Sequence, residues 1–347
     1  MTEATPFDPA RMVANTNKML GMITGLWMSQ TMRALCDLRI VDHLADGATT
    51  SAEVADLEHI DPSATFRLMR AAAGIGVLGY ADGKFTVTEF GSLLRAGVPG
   101  SMRDIALVTS APFHWQAWSQ FPEAIRHGRT QAPAALGLPE GATSFDYFAD
   151  HPEEGALFAA AMSNATGMIT EDVSPMIDLT GVTSAVDVGG ANGALVLTLM
   201  RTNPELHGIV LDRPNVVPGA EQAARDAALT DRFTAVGGDF FVEVPQAEVY
   251  LLKMILHDWD DDDCVRILHN CRTSAKPGAR AFVVETVLDP IGEPGLAAML
   301  DLNMLAVTNG QERDLSEFDA LYAKTGWQRV SQQQTHTAHV IQELIAI

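Results

Sequence analysis

The chain has 347 residues, 47% hydrophobic and 19% charged, enough for one large or two ordinary domains with a sizeable core. Its formal net charge of −21 repels phosphate backbones and anionic lipid, which argues against a nucleic-acid or membrane-surface function. No apolar run is long enough to span a membrane, the polar start MTEATPFDPAR lacks the regions of a signal peptide, and Cys36, Cys264 and Cys271 suggest neither a disulfide framework nor a zinc site, so a cytoplasmic protein is expected.

Residues 8–46 read as helices. Met19, Met22, Ile23, Leu26 and Trp27 form a stripe at helical spacing, and a second helix is expected over 29–45. So much apolar surface near a terminus suits a partner subunit or an intrachain core. Residues 50–95 read as helix, helix, hairpin. Thr50 or Ser51 caps a helix over 52–58, Asp61-Pro62 opens another, and 77–87 folds about an Asp82-Gly83 turn. That is the winged-helix order. Its second helix offers only Arg67 and Arg70 as cations, too few for a DNA reader.

Between 100 and 150, Trp115, Trp118, Phe121, Phe145, Tyr147 and Phe148 are interrupted by prolines. These rings suit an apolar pocket or a core. Asp150 and Glu153 have capping-box spacing ahead of an apolar stripe that includes Leu157, Ala161 and Met162.

An α/β pattern begins near Gly181, with strands expected at 184–188, 207–211, 233–236, 248–254 and 280–286. Alternation with helices predicts a mostly parallel, doubly wound sheet. A helix over 263–274 places Cys264 and Cys271 on a buried face and stops at Lys276-Pro277-Gly278.

Ligands bind beyond the carboxyl ends of such strands. After the first comes Asp187 with the loop Gly189-Gly190-Ala191-Asn192-Gly193, which does not fit the dinucleotide G-x-G-x-x-G register. After the second comes Asp212, suited to a ribose diol. After the third come Asp239 and Phe240, an acceptor for an adenine amino group and a stacking face. After the fourth comes Lys253-Met254-Ile255-Leu256-His257-Asp258-Trp259. Singly each acid reads as a cap or turn residue; four in this order read as a site. The run Asp260 to Asp263 reads as a solvated helix start favoured by the helix dipole, and no metal is expected.

The stretches VDVGGANG (186–193), LDRPNVV (211–217), GGDFF (237–241), LLKMILHDWDD (251–261), ETVL (285–288) and LDLNMLAVTNGQERDLSEFDALYAKTGW (300–327) resemble the plant-type S-adenosylmethionine-dependent O-methyltransferases, in the branch found in bacterial secondary metabolism. The resemblance spans nearly the whole chain and implies a Rossmann-like α/β methyltransferase sheet behind an N-terminal, mostly helical winged-helix dimerisation domain. The expected division is 1–100 for dimerisation, 101–180 as a helical region lining the acceptor pocket, and 181–347 for catalysis. Carried over by position, Gly189 with Gly190 and Gly193 approach the cofactor's methionine part, Asp212 holds its ribose, Asp239 and Phe240 its adenine, and Lys253 lies nearby. Asp187 is placed with them. His257 is implied as the general base, with Glu285 and Glu312 holding its ring. Trp115, Phe145, Met162, Asp258, Met299 and Asn303 are implied around the acceptor. Ala191 departs from the family, which has a third glycine there.

A homodimeric O-methyltransferase acting on a hydroxylated aromatic is therefore expected. Two other readings use the same residues: a cofactor-binding hydroxylase or decarboxylase that transfers no methyl group, and a winged-helix regulator that senses a small molecule.

Overall fold

The computed structural model describes residues 8–139, 142 and 144–347. They fall into two compact units, Met1–Trp115 with Pro152–Asn164 and Gln116–His151 with Ala165–Ile347, so the stretch 101–180 is divided between them. No helix among the described residues is long and apolar enough to cross a membrane.

In the first unit the helices Pro9–Ile23, Gly25–Asp37 and Ile40–Ala45 lead into Ser51–Glu58 and Pro62–Gly74. The single helix expected over 29–45 is two, because Arg39 takes a left-handed φ of 48° and turns the chain. Thr50 and Glu53 make a reciprocal capping box. Asp61 accepts from Ala64 N at 2.7 Å, with Pro62 supplying its fixed φ in the first turn. The hairpin of β1 (Leu78–Ala81) and β2 (Lys84–Val87) turns at Asp82 and Gly83, both with positive φ as a type I′ turn requires. Leu35, Ile40, Met69, Val77 and Phe85 fill this core. The helix Pro9–Ile23 buries no residue, and Met22, Ile23 and Trp27 stay exposed.

A capping box at Asp150 and Glu153 does not form. Pro152 opens the helix Pro152–Val173, which leaves Asp150 outside it and His151 as a cap without a side-chain capping bond. Glu154 instead accepts from the backbone N–H of Phe113 at 3.1 Å.

The second unit is built on a seven-stranded sheet in the order β5-β4-β3-β6-β7-β9-β8. The strands are β3 (Ser184–Val188), β4 (His207–Asp212), β5 (Phe233–Gly237), β6 (Ala247–Lys253), β7 (Ala275–Thr286), β8 (Trp327–Gln334) and β9 (His339–Ala346). The first five are parallel neighbours. β9 runs antiparallel to both β7 and β8. This last pair goes beyond the five strands read from sequence: β8 buries only Trp327 and shows no apolar run. The helix Asp261–Ser274 does stop before Lys276, but the chain goes straight into β7 through extended Ala275.

One face of the sheet packs Leu195, Val196 and Leu199 of the helix Ala194–Thr202 against Ala185, Val210 and Leu251. The other packs Cys264, Ile267 and Cys271, with Phe318 and Tyr322, against Val186, Tyr250 and Val283. All three cysteines are buried and free. Strand order reverses between β3 and β6, and the crevice at their carboxyl ends is where such sheets bind ligands.

Candidate active site

Two structures meet at that crevice. The first is the loop after β3. Gly189 and Gly193 take φ of 66° and 73°. A Cβ on Gly189 would lie 2.6 Å from Ile255 Cδ1, and one on Gly190 2.6 Å from Asp187 Cγ, so the backbone lies too close to its neighbours for larger residues. Gly189 N donates to Leu211 O at 2.8 Å, which ties the loop to β4. Ala191 adopts the left-handed φ of 50° itself. Its N–H donates to Asp212 Oδ2 at 2.8 Å, while Arg213 N donates to Oδ1 at 2.7 Å, so the acid at the end of β4 is oriented by two backbone donors.

Asp239 accepts from Phe241 N at 2.8 Å in the turn after β5 and remains exposed. Phe240, Phe241 and Trp259 form an edge-to-face cluster, with Phe241 and Trp259 centroids 4.7 Å apart.

Asp187 is not where the sequence suggested. It is 2% exposed, tucked beneath Gly190, and its Oδ2 accepts from Val196 N at 3.3 Å. Burial raises its carboxyl to about 6 despite the nearby Lys253. From below the loop, its Oδ2 ties the strand end to the helix that follows. Lys253 ends β6 with Nζ 3.3 Å from Thr166 Oγ1, its ammonium pKa lowered by burial against the pull of Asp187 and Glu285.

The second structure is the short turn Leu256–Asp258 after β6. His257 Nδ1 lies 3.0 Å from Glu312 Oε1, and Nε2 lies 3.7 Å from Asp258 Oδ1. Burial pulls the imidazole's proton affinity down, but Asp258, Glu285 and the hydrogen-bonded Glu312 outweigh it and hold the group well above its ordinary value. Glu285 is fully buried. It makes no hydrogen bond to the ring, contrary to expectation. Its Oε1 accepts from Ile255 N at 2.9 Å and Leu256 N at 2.8 Å, so it holds the backbone that carries the ring. Burial raises this carboxyl to about 7. One oxygen each of Glu285 and Glu312 is buried without a partner. Ligand atoms of His257, Glu285 and Glu312 lie within 4.8 Å of one another, a set that can share a proton or take a divalent ion.

Residues 118–328 match the family model of the O-methyltransferase domain, and residues 20–96 that of the O-methyltransferase dimerisation domain. The chain belongs to the O-methyltransferase family. A phenazine O-methyltransferase of Lysobacter antibioticus is 35% identical over 311 residues, covering 89% of this chain and 90% of the relative. The solved mitomycin 7-O-methyltransferase superposes with a TM-score of 0.89 at 29% identity, over 98% of this chain and all of that one. An O-methyltransferase of neocarzinostatin biosynthesis, solved with S-adenosylmethionine and 2-hydroxy-5-methyl naphthoic acid, gives a TM-score of 0.78 at 28% identity, over 92% of this chain and 96% of that one. This O-methyltransferase uses S-adenosylmethionine, as its family and structural neighbours do.

Six residues are expected around the acceptor. Trp115 and Met162 belong to the first unit, while His257 belongs to the second. The side chain of Phe145 lies outside the described residues. Met299 is exposed, and Asn303 Oδ1 accepts from Trp118 Nε1 at 3.0 Å. Indole only donates, so the amide is fixed with its Nδ2 donors turned elsewhere.

The O-methyltransferase site also includes groups that sequence reasoning missed. Asp301 Oδ1 accepts from Glu312 N at 3.0 Å and anchors the carboxylate's backbone. Fully buried Arg313 reaches the His257 turn. His339, paired with Thr286 at the start of β9, is held by burial and Lys253 at about 4, so it stays neutral. Glu312 and Arg313 follow a helix rather than a strand of the parallel set, so listing strand ends reaches neither.

Proposed function

We propose that this enzyme moves the methyl group of S-adenosylmethionine to a hydroxyl of an aromatic small molecule, with His257 as the general base, and that it acts as a homodimer through its N-terminal helices. The carrying observation is the hydrogen bond of 3.0 Å between His257 Nδ1 and a carboxylate that is itself 4% exposed. It assigns the ring's N–H to Nδ1 and leaves Nε2 as the basic atom.

A neutral phenol, with a pKa of about 10, is a poor nucleophile, and an imidazole that removes its proton as the bond forms raises the rate by ~10²–10⁴-fold. The bound sulfonium supplies an activated methyl group with its own leaving group, so no metal is needed to polarise it. Glu312 fixes the ring's tautomer and stabilises the imidazolium, as the aspartate of a hydrolase triad does. Glu285 holds the turn, and the imidazole sheds its proton more readily once a sulfonium cation shares the site. Asp212 accepts from the ribose diol, Phe240 and Asp239 flank the base, Lys253 lies beside the donor, and Gly189 to Gly193 let the backbone approach its methionine part. Asp187 acts through the loop. The acceptor is bounded by Met299, Asn303 and Asp258.

Purified enzyme, S-adenosylmethionine and a panel of hydroxylated phenazines, naphthoic acids and quinones test this reading by mass spectrometry. A product heavier by one methylene unit, formed with an equivalent of S-adenosylhomocysteine, is expected. A product changed by oxygen or carbon dioxide, with no homocysteine derivative released, contradicts it.

A further inference from the structure

The most heavily bonded side chain near the His257 turn is Arg313. Its guanidinium is fully buried. Nη1 donates to Leu256 O at 3.0 Å, Nη2 to Trp259 O at 2.9 Å, and Nε to Asp261 Oδ1 at 3.0 Å. These carbonyls stand at the two ends of the turn that carries His257, and Asp261 opens the helix that follows. Arg313 is itself anchored. It bridges to Val287, and its carbonyl accepts from Leu288 N at 3.0 Å just after β7. Gly310, three residues earlier, lies so close that a Cβ there would run into the His257 carbonyl oxygen.

Burying a guanidinium is unfavourable unless its fork meets fixed acceptors, and here three of its four partners are main-chain oxygens, the third being Gln311 O at 3.4 Å from Nη1. Trp259, whose carbonyl Arg313 holds, packs its ring on Phe240 and Phe241 across the turn. One planar group therefore sets the base relative to the aromatic wall on the donor's side. We propose that Arg313 is a positioning residue for methyl transfer: by spanning Leu256 O and Trp259 O it fixes the direction in which His257 meets the acceptor oxygen.

This rests on His257 being the base, so His257→Ala is measured alongside. The test variant is Arg313→Lys, which keeps the charge but cannot span both carbonyls. Turnover is expected to fall ~10–100-fold, as small misplacements of a reacting group do. S-adenosylhomocysteine affinity should stay within about threefold and thermal unfolding should remain cooperative. The pH limb of turnover should move to lower pH, because a relaxed turn takes the imidazole out of its alignment with Asp258, Glu285 and Glu312 and lets its raised pKa fall. A purely structural role lowers the active fraction without moving that limb. A normal rate, or a loss of rate with an unmoved limb, overturns the proposal. If Arg313→Lys does not fold, Arg313→Gln, whose shorter amide cannot span both carbonyls, takes its place, and an unmoved limb there overturns it equally. A slow His257→Ala beside a normal Arg313→Lys removes only the role of Arg313; a near-normal His257→Ala removes the base itself.

Discussion

The two sides of the crevice are held by opposite means. On the side of the glycine loop the chain is fixed by backbone bonds and close approach, and, apart from buried Asp187, its acids are half-buried or exposed: Asp212 and Asp239 orient themselves on main-chain N–H groups. On the base side nearly everything is buried charge, with Glu285 and Arg313 at 0% and Glu312 at 4% exposure. A solvated acid can exchange water for a ligand's hydroxyls at little cost. A buried acid cannot, so it shifts the proton affinity of whatever lies beside it. The donor side therefore suits exchange of a polar cofactor, and the base side suits control of one proton.

Substitutions that respect this division should separate binding from chemistry. The largest effect is expected at Gly189, where the positive φ strains any side chain and Ile255 Cδ1 would have to move aside. Gly189→Val should weaken S-adenosylhomocysteine binding by ~100-fold or more, roughly 3 kcal/mol by calorimetry, with cooperative unfolding retained. Next is Glu312→Gln, which keeps an oxygen for Nδ1–H but removes the charge. Turnover should fall ~10–100-fold while cofactor affinity stays normal. Its pH dependence carries the sign. With His257 as the proposed base, the wild-type rate is expected to rise with pH along a limb above the usual imidazole range, and in Glu312→Gln that limb is expected to move down. An upward shift would mean that Glu312 does not stabilise the imidazolium.

Asp212→Asn should act on the other side only. Loss of a charged acceptor for two hydroxyls should raise the cofactor's Kd ~10-fold, about 1.4 kcal/mol, with the acceptor's KM unchanged. If acceptor KM rises as much as cofactor Kd, the two sides are not separable. The smallest effect is at Ala191, which carries a methyl group at φ 50°. Ala191→Gly relieves about 1 kcal/mol of strain but gives up unfolded-chain restriction of similar size, so its melting temperature should change by only a few degrees.

The glycine loop and the acids beyond β4 and β5 were legible as structural features because their signals are local. A glycine run after an apolar strand and an acid after the next strand need no tertiary knowledge, and neither does the Asp82-Gly83 turn. The base side was legible only in part. His257 sits in a readable strand-end motif, but the tasks of its partners depend on long-range geometry: Glu285 bonds the main chain of residues 255 and 256 rather than the ring. Arg313 carries no local signal, and its part shows only in its buried contacts with Leu256 O and Trp259 O. Asp187 misled for the same reason, since the strand-end pattern cannot say that its carboxylate turns inward. β8 stayed hidden because an edge strand with one buried residue has no apolar period to detect. The break at Arg39 carried no glycine or proline to announce it.

The most direct measurement is the single-turnover rate of His257→Ala, preloaded with S-adenosylmethionine and mixed with an acceptor that the wild-type enzyme methylates. Loss of the base predicts a rate at least ~100-fold slower, with affinity for S-adenosylhomocysteine within about threefold of wild type. A rate close to wild type at the same cofactor occupancy would contradict the assignment of His257 and, with it, the proton-controlling role given to the buried carboxylates.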